Sequence, residues 1–279
     1  MVRLGSASVL FCIALSAGLS LPAAHATPLR IAGSGANVGT IELLVTEYRK
    51  VAKEMPFAPV ETVGSGGAIK ALNGGKLDLA LLSRPLKDSE LGSGASAVVV
   101  TEYARTPFVV AVQADTRIDN LSGAQLAELI SGEGNWPDGK RARPILRPAD
   151  DTDIALLRKM AAPVSAGLDR AYAKAGMPVA ATDREAADLI ERTPGALGAS
   201  TLSLILSESR RIKPVAIDGS KPSVAALESG AYPHFKRLFI VHGPNASQEA
   251  KKFVAFLATP AARQVLKKNG HAVPPFKAN

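Results

Sequence analysis

Two short glycine–serine runs are the places where this chain could do chemistry. Gly33-Ser34-Gly35-Ala36-Asn37 and Gly64-Ser65-Gly66-Gly67-Ala68 each follow a short apolar segment. Each opens a stretch with helical spacing: Ile41, Leu44, Val45 and Tyr48 after the first, Ile69 and Leu72 after the second. A strand that turns through such residues into a helix leaves the first backbone N–H groups unpaired. With the helix dipole and neighbouring hydroxyls, those groups make a seat for an anion. Two arginines stand where they could supply fixed charge. Arg84 follows the apolar run 79–82, at the end of an expected strand where open α/β sheets take their ligands. Its guanidinium can grip two oxygens at once or form a surface ion pair. Arg147 ends the expected strand 143–147 and precedes the acidic turn Pro148-Ala149-Asp150-Asp151-Thr152-Asp153. A carboxylate within about 4–6 Å of an anion repels it unless a proton or cation lies between them. The turn therefore has two readings. One Asp accepts a hydrogen bond from the O–H of a protonated oxyanion, or the Asp residues cap the next helix and pair with Arg84 or Arg147, lowering anion affinity.

Other chemistries lack their residues. Neither glycine run completes a dinucleotide fingerprint, since Val38 and Ile69 stand at the last glycine positions, and no phosphate-loop Gly-Lys-Ser/Thr occurs. No Gly-x-Ser-x-Gly elbow follows residue 26. His234, His242 and His271 are widely spaced and lack the pairing of metal ligands, so neither metal nor cofactor is expected. Trp136, in Gly134-Asn135-Trp136-Pro137, is read as a loop anchor.

Residues 1–26 have the pattern of a secretory signal peptide: Arg3, an apolar stretch from Val9 to Leu21, and Ala24-His25-Ala26 before Thr27-Pro28. Cleavage after Ala26 would place the protein in the periplasm. The apolar stretch is shorter than the roughly 20 residues of a spanning helix. The single cysteine, Cys12, lies inside it, so the exported chain would have no disulfide and must be held by its core. The net charge of +8 falls to +7 when Arg3 is removed and favours anionic partners. No aromatic–basic interleaving points to nucleic acid. With 47% hydrophobic and only 5% aromatic residues, the core should consist of Ala, Val, Leu and Ile in α/β layers.

The elements that must position these residues alternate. Strands are expected at 29–32, 60–63 and 77–82, with helices at 41–54 and 68–74 between them, a βαβ pattern. The small-residue run 92–97 reads as a loop before a strand at 98–101, and 107–113 is a further apolar strand. Beyond it come a helix at 122–131, strand 143–147, helices at 153–161 and 164–175, a strand near 178–180, helix 183–191 and strand 196–200. Strands at 214–217 and 238–241 and helices at 248–258 and 260–269 complete the chain. Ser122, Asp183 and Ser247 read as N-caps and Gly270 as a helix stop.

In this order the segments resemble a known family, the solute-binding proteins of phosphate ABC importers, which are type II periplasmic binding proteins. The two glycine runs are similar to that family's first two phosphate loops, and Asp78 through Ser83-Arg84-Pro85-Leu86 to its third. Leu121-Ser122-Gly123-Ala124-Gln125-Leu126, Ile130-Ser131-Gly132 and Trp136, then Pro194-Gly195-Ala196-Leu197-Gly198, Asp218-Gly219 and Tyr232-Pro233, follow in the family's order. Lys268, Gly270 and Val273-Pro274 close the series. The resemblance implies an α/β fold of two lobes, each a mainly parallel sheet flanked by helices, with the ligand cleft between them. Residues 27–110 and 215–279 would form lobe I and residues 111–214 lobe II. It also implies a monomer that captures phosphate or a related oxyanion and hands it to a membrane permease, without chemistry on the ligand. On the family's pattern the ligand would be held by Asn37, the Val38 N–H, Ser65, Gly66, Arg84, Arg147, Asp151 and Thr152. Asn37 stands where the family places Thr, Arg84 where some members carry an acidic proton acceptor, and the family's Ser-Gly-Thr after Arg147 is missing. Two other readings stay open: an exported phosphoester hydrolase using a Ser with Asp150 or Asp151, and a sensor or scaffold with a weakened anion site.

Overall fold

The computed structural model describes residues 27–91 and 98–274. The expected signal peptide and the small-residue loop at 92–97 lie outside those residues.

The first unit begins β1 (Ile31–Gly33), α1 (Gly35–Tyr48), β2 (Glu61–Thr62), α2 (Gly64–Asn73) and β3 (Leu79–Leu82). Both β2 and β3 run parallel to β1. Each glycine run proves to be the first turn of a helix rather than a loop before one, so α1 and α2 start four to six residues earlier than the apolar spacing indicates. Gly and Ser carry no hydrophobic periodicity, and a first turn built from them is invisible to it. β4 (Val99–Gln113) is one strand of fifteen residues, where the sequence suggests two. Its first half pairs antiparallel with β9 (Phe235–His242), and its second half with β7 (Ala196–Thr201) and β8 (Ile212–Ile217). β4 therefore belongs to both sheets and carries the chain from one lobe into the other.

The second unit adds β5 (Asn120–Leu121), α3 (Gly123–Ile130), β6 (Arg143–Ile145), α4 (Thr152–Arg158), α5 (Val164–Tyr172), α6 (Asp183–Arg192), α7 (Leu202–Ser207) and α8 (Val224–Glu228); α9 (Gln248–Phe256) and α10 (Pro260–Lys268) return to the first. Parallel pairing holds among the βαβ strands, β2–β1–β3, β6–β7 and β5–β8, while β4 and β9 run antiparallel to their neighbours.

Period-two alternation sorts the core into layers on both faces of each sheet. In the first lobe Leu79, Leu81, Leu238 and Ile240 face α1, α9 and α10, whereas Ala80, Leu82, Phe239 and Val241 face α2. In the second, Phe108, Val110 and Val112 face α3, α4 and α5, and Val109 and Ala111 face α6 and α7. The return to the first lobe comes at the start of β9, not at residue 215. Val215, Ile217 and Tyr232 pack in the second lobe's core, and the Tyr232 hydroxyl donates to the Phe108 carbonyl at 2.6 Å. An apolar strand reads alike in either lobe; only its pairing with β4 assigns it. Trp136 is buried, and its Nε1 donates to the Gly195 carbonyl at 3.0 Å, which ties down the loop as expected. Ser122 and Ser247 cap their helices, and Gly270, at φ +80°, ends α10.

Two positions make the frame sensitive. A Cβ on Gly33 would lie 2.1 Å from the Leu81 carbonyl oxygen, because β1 and β3 approach closely there. Gly33→Ala should destabilise the protein by about 2–3 kcal/mol, measured as a lower denaturant midpoint with unchanged slope. His271 is fully buried, with Nε2 2.9 Å from Thr40 Oγ1. Burial pushes its pKa down from 6.5 to about 3. A folded pKa below the unfolded one gives stability that is complete above pH 6.5 and lost as pH falls toward 3, at up to about 1.4 kcal/mol per pH unit. Urea titrations between pH 7 and 4 should show that slope in the wild type and a flatter one in His271→Gln.

Candidate functional site

A buried ionic cluster centred on Lys236 lies where the two lobes meet. This residue lies on β9, opposite Thr106 of β4, where the chain passes between lobes. Its strand alternation puts it on the same side as Leu238 and Ile240, and it is 2% exposed. Its ammonium contacts Asp183 Oδ1 at 2.7 Å, pairs with Asp153 Oδ1, and sits 5.8 Å from the centre of the Phe108 ring. Both acids are buried and open helices of the second lobe, Asp183 being the first residue of α6 and Asp153 the second of α4.

Asp183 does not cap α6, as its sequence position suggests. Thr182 does so, its hydroxyl accepting from the Glu185 N–H while Glu185 accepts from the Ala181 N–H. Freed from that role, the Asp183 carboxylate reaches the first lobe. Ser34 Oγ donates to Asp183 Oδ2 at 3.2 Å. Ser34 is the N-cap residue of α1, yet its hydroxyl makes no capping bond. It turns to Asp183 and to Ser83 Oγ, 3.0 Å away. Ser83 N–H in turn donates to Ser65 Oγ at 3.2 Å. Three serines from the starts of α1 and α2 and the end of β3 thus line the first-lobe wall. A Cβ on Gly35 would lie 3.3 Å from Asp183 Oδ2, so the carboxylate sits directly against the start of α1.

On the second-lobe side Arg147 is 4% exposed; its two terminal nitrogens are engaged by the protein, while Nε has no hydrogen-bond partner among the described residues. Nη1 donates to the Ala180 carbonyl at 2.6 Å and Nη2 to Asp151 Oδ2 at 2.8 Å; Nε lies 3.6 Å from Asp153 Oδ2. Asp151 also caps α4 through the Asp153 N–H. The acidic turn therefore contains the cap and the Arg147 pair that the sequence allowed, and Asp150 is exposed. Thr152, half-buried, is the first residue of α4.

The remaining sequence candidates disperse. Asn37 is fully buried and accepts from the Tyr103 hydroxyl at 2.6 Å, tying α1 to β4; its Nδ2 has no partner among the described residues. Val38 is the fourth residue of α1, where the N–H enters the helix's own ladder. Arg84 places both terminal nitrogens on Glu90, with Nη1–Oε2 at 2.8 Å, and Nη1 also donates to the Pro85 carbonyl. Gly66 is exposed beside that pair. Ser34, Ser83 and Asp153 lie in runs that the sequence marks without being named as ligands, Asp183 reads there as a helix cap, and Lys236 is not marked at all. The one usable signal was a lysine in register with the apolar Leu238 and Ile240 of β9.

Three carboxylates and two cations meet here, so titration is uneven. Burial alone would raise Asp183, but the Lys236 and Arg147 charges and the bonds from Lys236 and Ser34 hold it down at about 2. Burial pushes Asp153 up to about 6 against the pull of Lys236, with the Asp183 and Asp151 charges adding to the rise. Burial opposes the Lys236 charge, yet the two acids outweigh it and raise its pKa. Lys236→Met should cost about 3–5 kcal/mol, since it leaves two buried carboxylates without their cation. The acid response should also change. Asp183 stabilises the wild type above the ordinary carboxylate pKa of about 4, and that contribution disappears as pH falls through 2. In the variant Asp183 loses its principal counter-charge and its folded pKa rises, so acidification from pH 7 to 5 should favour folding more in Lys236→Met than in the wild type in paired urea titrations.

A family model described as a PBP superfamily domain matches residues 20–261. The phosphate-binding protein PstS of Bacillus subtilis (strain 168) is 24% identical over 242 residues, covering 82% of this chain and 74% of that protein. A putative phosphate ABC transporter substrate-binding protein from Clostridium perfringens, solved with bound phosphate, shares the fold with a TM-score of 0.73 at 14% identity, covering 89% of this chain and 100% of that one. The periplasmic molybdate-binding protein of Azotobacter vinelandii shares it with a TM-score of 0.60 at 16% identity, over 88% and 99% of the two chains. With a family match over most of its length and a two-lobed α/β architecture that meets at a buried polar cluster, the chain belongs to the PBP superfamily.

Proposed function

We propose that this protein is an exported solute-binding protein that takes phosphate, or a closely related tetrahedral oxyanion, between its lobes and presents it to an ABC importer. The observation that carries this reading is the buried cluster in which Lys236 and Ser34 meet at Asp183, Arg147 stands 3.6 Å from Asp153, and Ser83 and Ser65 continue the row of hydroxyls from Ser34. Fixed cations, hydroxyl donors and a helix N-terminus in a buried cleft are what an oxyanion requires. The relatives named for phosphate support the choice of anion. The leader-like residues 1–26 support export, and the net charge of +8 favours anion encounter. Capture needs only binding and lobe closure, so no residue is assigned a catalytic step.

A second reading has a specific observation behind it. Asp183 occupies the cleft as an anion of the protein's own, and Arg84 and Arg147 are both paired with carboxylates. A family member whose site is filled in this way would act as a sensor or scaffold without a ligand.

Calorimetric titration separates the two readings, using protein unfolded and refolded to strip carried-over anion. Phosphate should bind saturably at one per chain, with sulfate and molybdate titrated in parallel. Arg147→Ala should weaken phosphate binding at least tenfold. Heats of dilution alone for all three anions would contradict the transport reading.

A further inference from the structure

We infer that Asp183 is a built-in ligand: its carboxylate occupies the oxyanion seat, holds the lobes together without solute, and must be displaced before an external anion can bind. This inference rests on the oxyanion-binding reading of the same cleft.

Two contacts and one close backbone approach place the carboxylate there. Lys236, at the strand crossing, pairs with Oδ1 at 2.7 Å. Ser34, whose hydroxyl leaves its own helix uncapped, donates to Oδ2 at 3.2 Å. The backbone at Gly35 approaches so closely that even a methyl group would touch Asp183, at 3.1 Å from its Cβ. The first amides of α1, which the helix leaves without internal partners, start at this point. An ammonium, a hydroxyl and a helix N-terminus around one carboxylate are the surroundings an inorganic oxyanion would have. Here the anion is covalently part of the opposite lobe.

The same geometry makes the contact a latch. Ser34 stands between β1 and α1 in the first lobe, and Asp183 opens α6, whose Ala186, Ala187 and Ile190 are buried in the second lobe's core. Its neighbour Arg184, held by Glu208 at the end of α7 in its own lobe at 2.7 Å, adds one bond across the lobes, to Glu42 of α1 at 3.1 Å. A tethered carboxylate competes at a high effective concentration. Charge prevents both anions from staying. Asp151, Asp153 and Asp183 already face only Arg147 and Lys236, and a further anion beside an ionised Asp183 would meet repulsion that no cation offsets. Removing the Asp183 carboxylate leaves Lys236 paired with Asp153, so the substitution does not strand a buried cation.

The test compares the full-length wild type with Asp183→Ala and Asp183→Asn, all stripped by refolding. Two measurements are made: small-angle X-ray scattering without ligand and calorimetric titration with inorganic phosphate. The inference expects a compact wild type, an expanded Asp183→Ala that becomes compact when phosphate is added, and phosphate affinity at least tenfold higher in Asp183→Ala than in the wild type. Asp183→Asn should lie between them, because the amide keeps the size of the side chain without its charge. Unchanged ligand-free dimensions in both variants, or phosphate binding no tighter than wild type in a variant that binds it, would overturn the inference. Failure of every protein to bind phosphate, sulfate or molybdate would remove the oxyanion function. In that event ligand-free expansion of Asp183→Ala would still establish the latch, and its absence would refute it.

Discussion

The structure depends on one ammonium group placed where water cannot reach it. Lys236 is buried on a strand beside the inward-facing Leu238 and Ile240. A charge in that position is tolerated only if carboxylates come to it. Asp153 and Asp183 do so from the starts of two different helices, and Ser34 completes the group from the other lobe. The placement of α4 and α6, the closeness of the lobes and the character of the cleft all follow from meeting this requirement. The sheet alternation that turns Lys236 inward is the same that sorts the cores of both lobes.

The cluster also explains why the family's usual logic is altered in this chain. A binding protein of this architecture gains affinity when its cations and helix ends face a cavity that only the ligand fills. Here the cations are already occupied: Arg147 by Asp151 and the Ala180 carbonyl, Lys236 by two acids, and Arg84 by Glu90. On the oxyanion-binding reading proposed above, affinity for an external anion would be the difference between two similar sets of contacts, with the Asp183 carboxylate setting the balance. The same side chain joins Lys236 and Ser34 across the lobes.

Much of the fold was legible in the residues. Apolar runs and capping serines located strands and helices, and Ser122, Ser247 and Gly270 do what their types suggest. The glycine runs marked the right strand–helix junctions, although the helices start inside them. The site was legible only in part. Arg147 and the acidic turn border the Lys236 cluster, and the cap-and-pair reading of that turn matches what Asp151 does. Arg84 and Asn37 were drawn in by their neighbours in sequence, yet Glu90 and Tyr103 hold them. Asp183 and Lys236 lie 147 and 199 residues beyond the first glycine run's Ala36 and Asn37 in sequence, and nothing local distinguishes a first-turn Asp from an ordinary helix start. Their meeting is a product of topology, through β4 and β9, and a pattern read along one dimension does not contain it.

The most direct measurement is a crystal structure of the refolded protein grown with phosphate. The account predicts phosphate at the start of α1, within hydrogen-bonding distance of Ser34 Oγ and Lys236 Nζ, with the Asp183 carboxylate withdrawn from both. Phosphate bound elsewhere, or bound there while Asp183 keeps its contacts with Lys236 and Ser34, would contradict it.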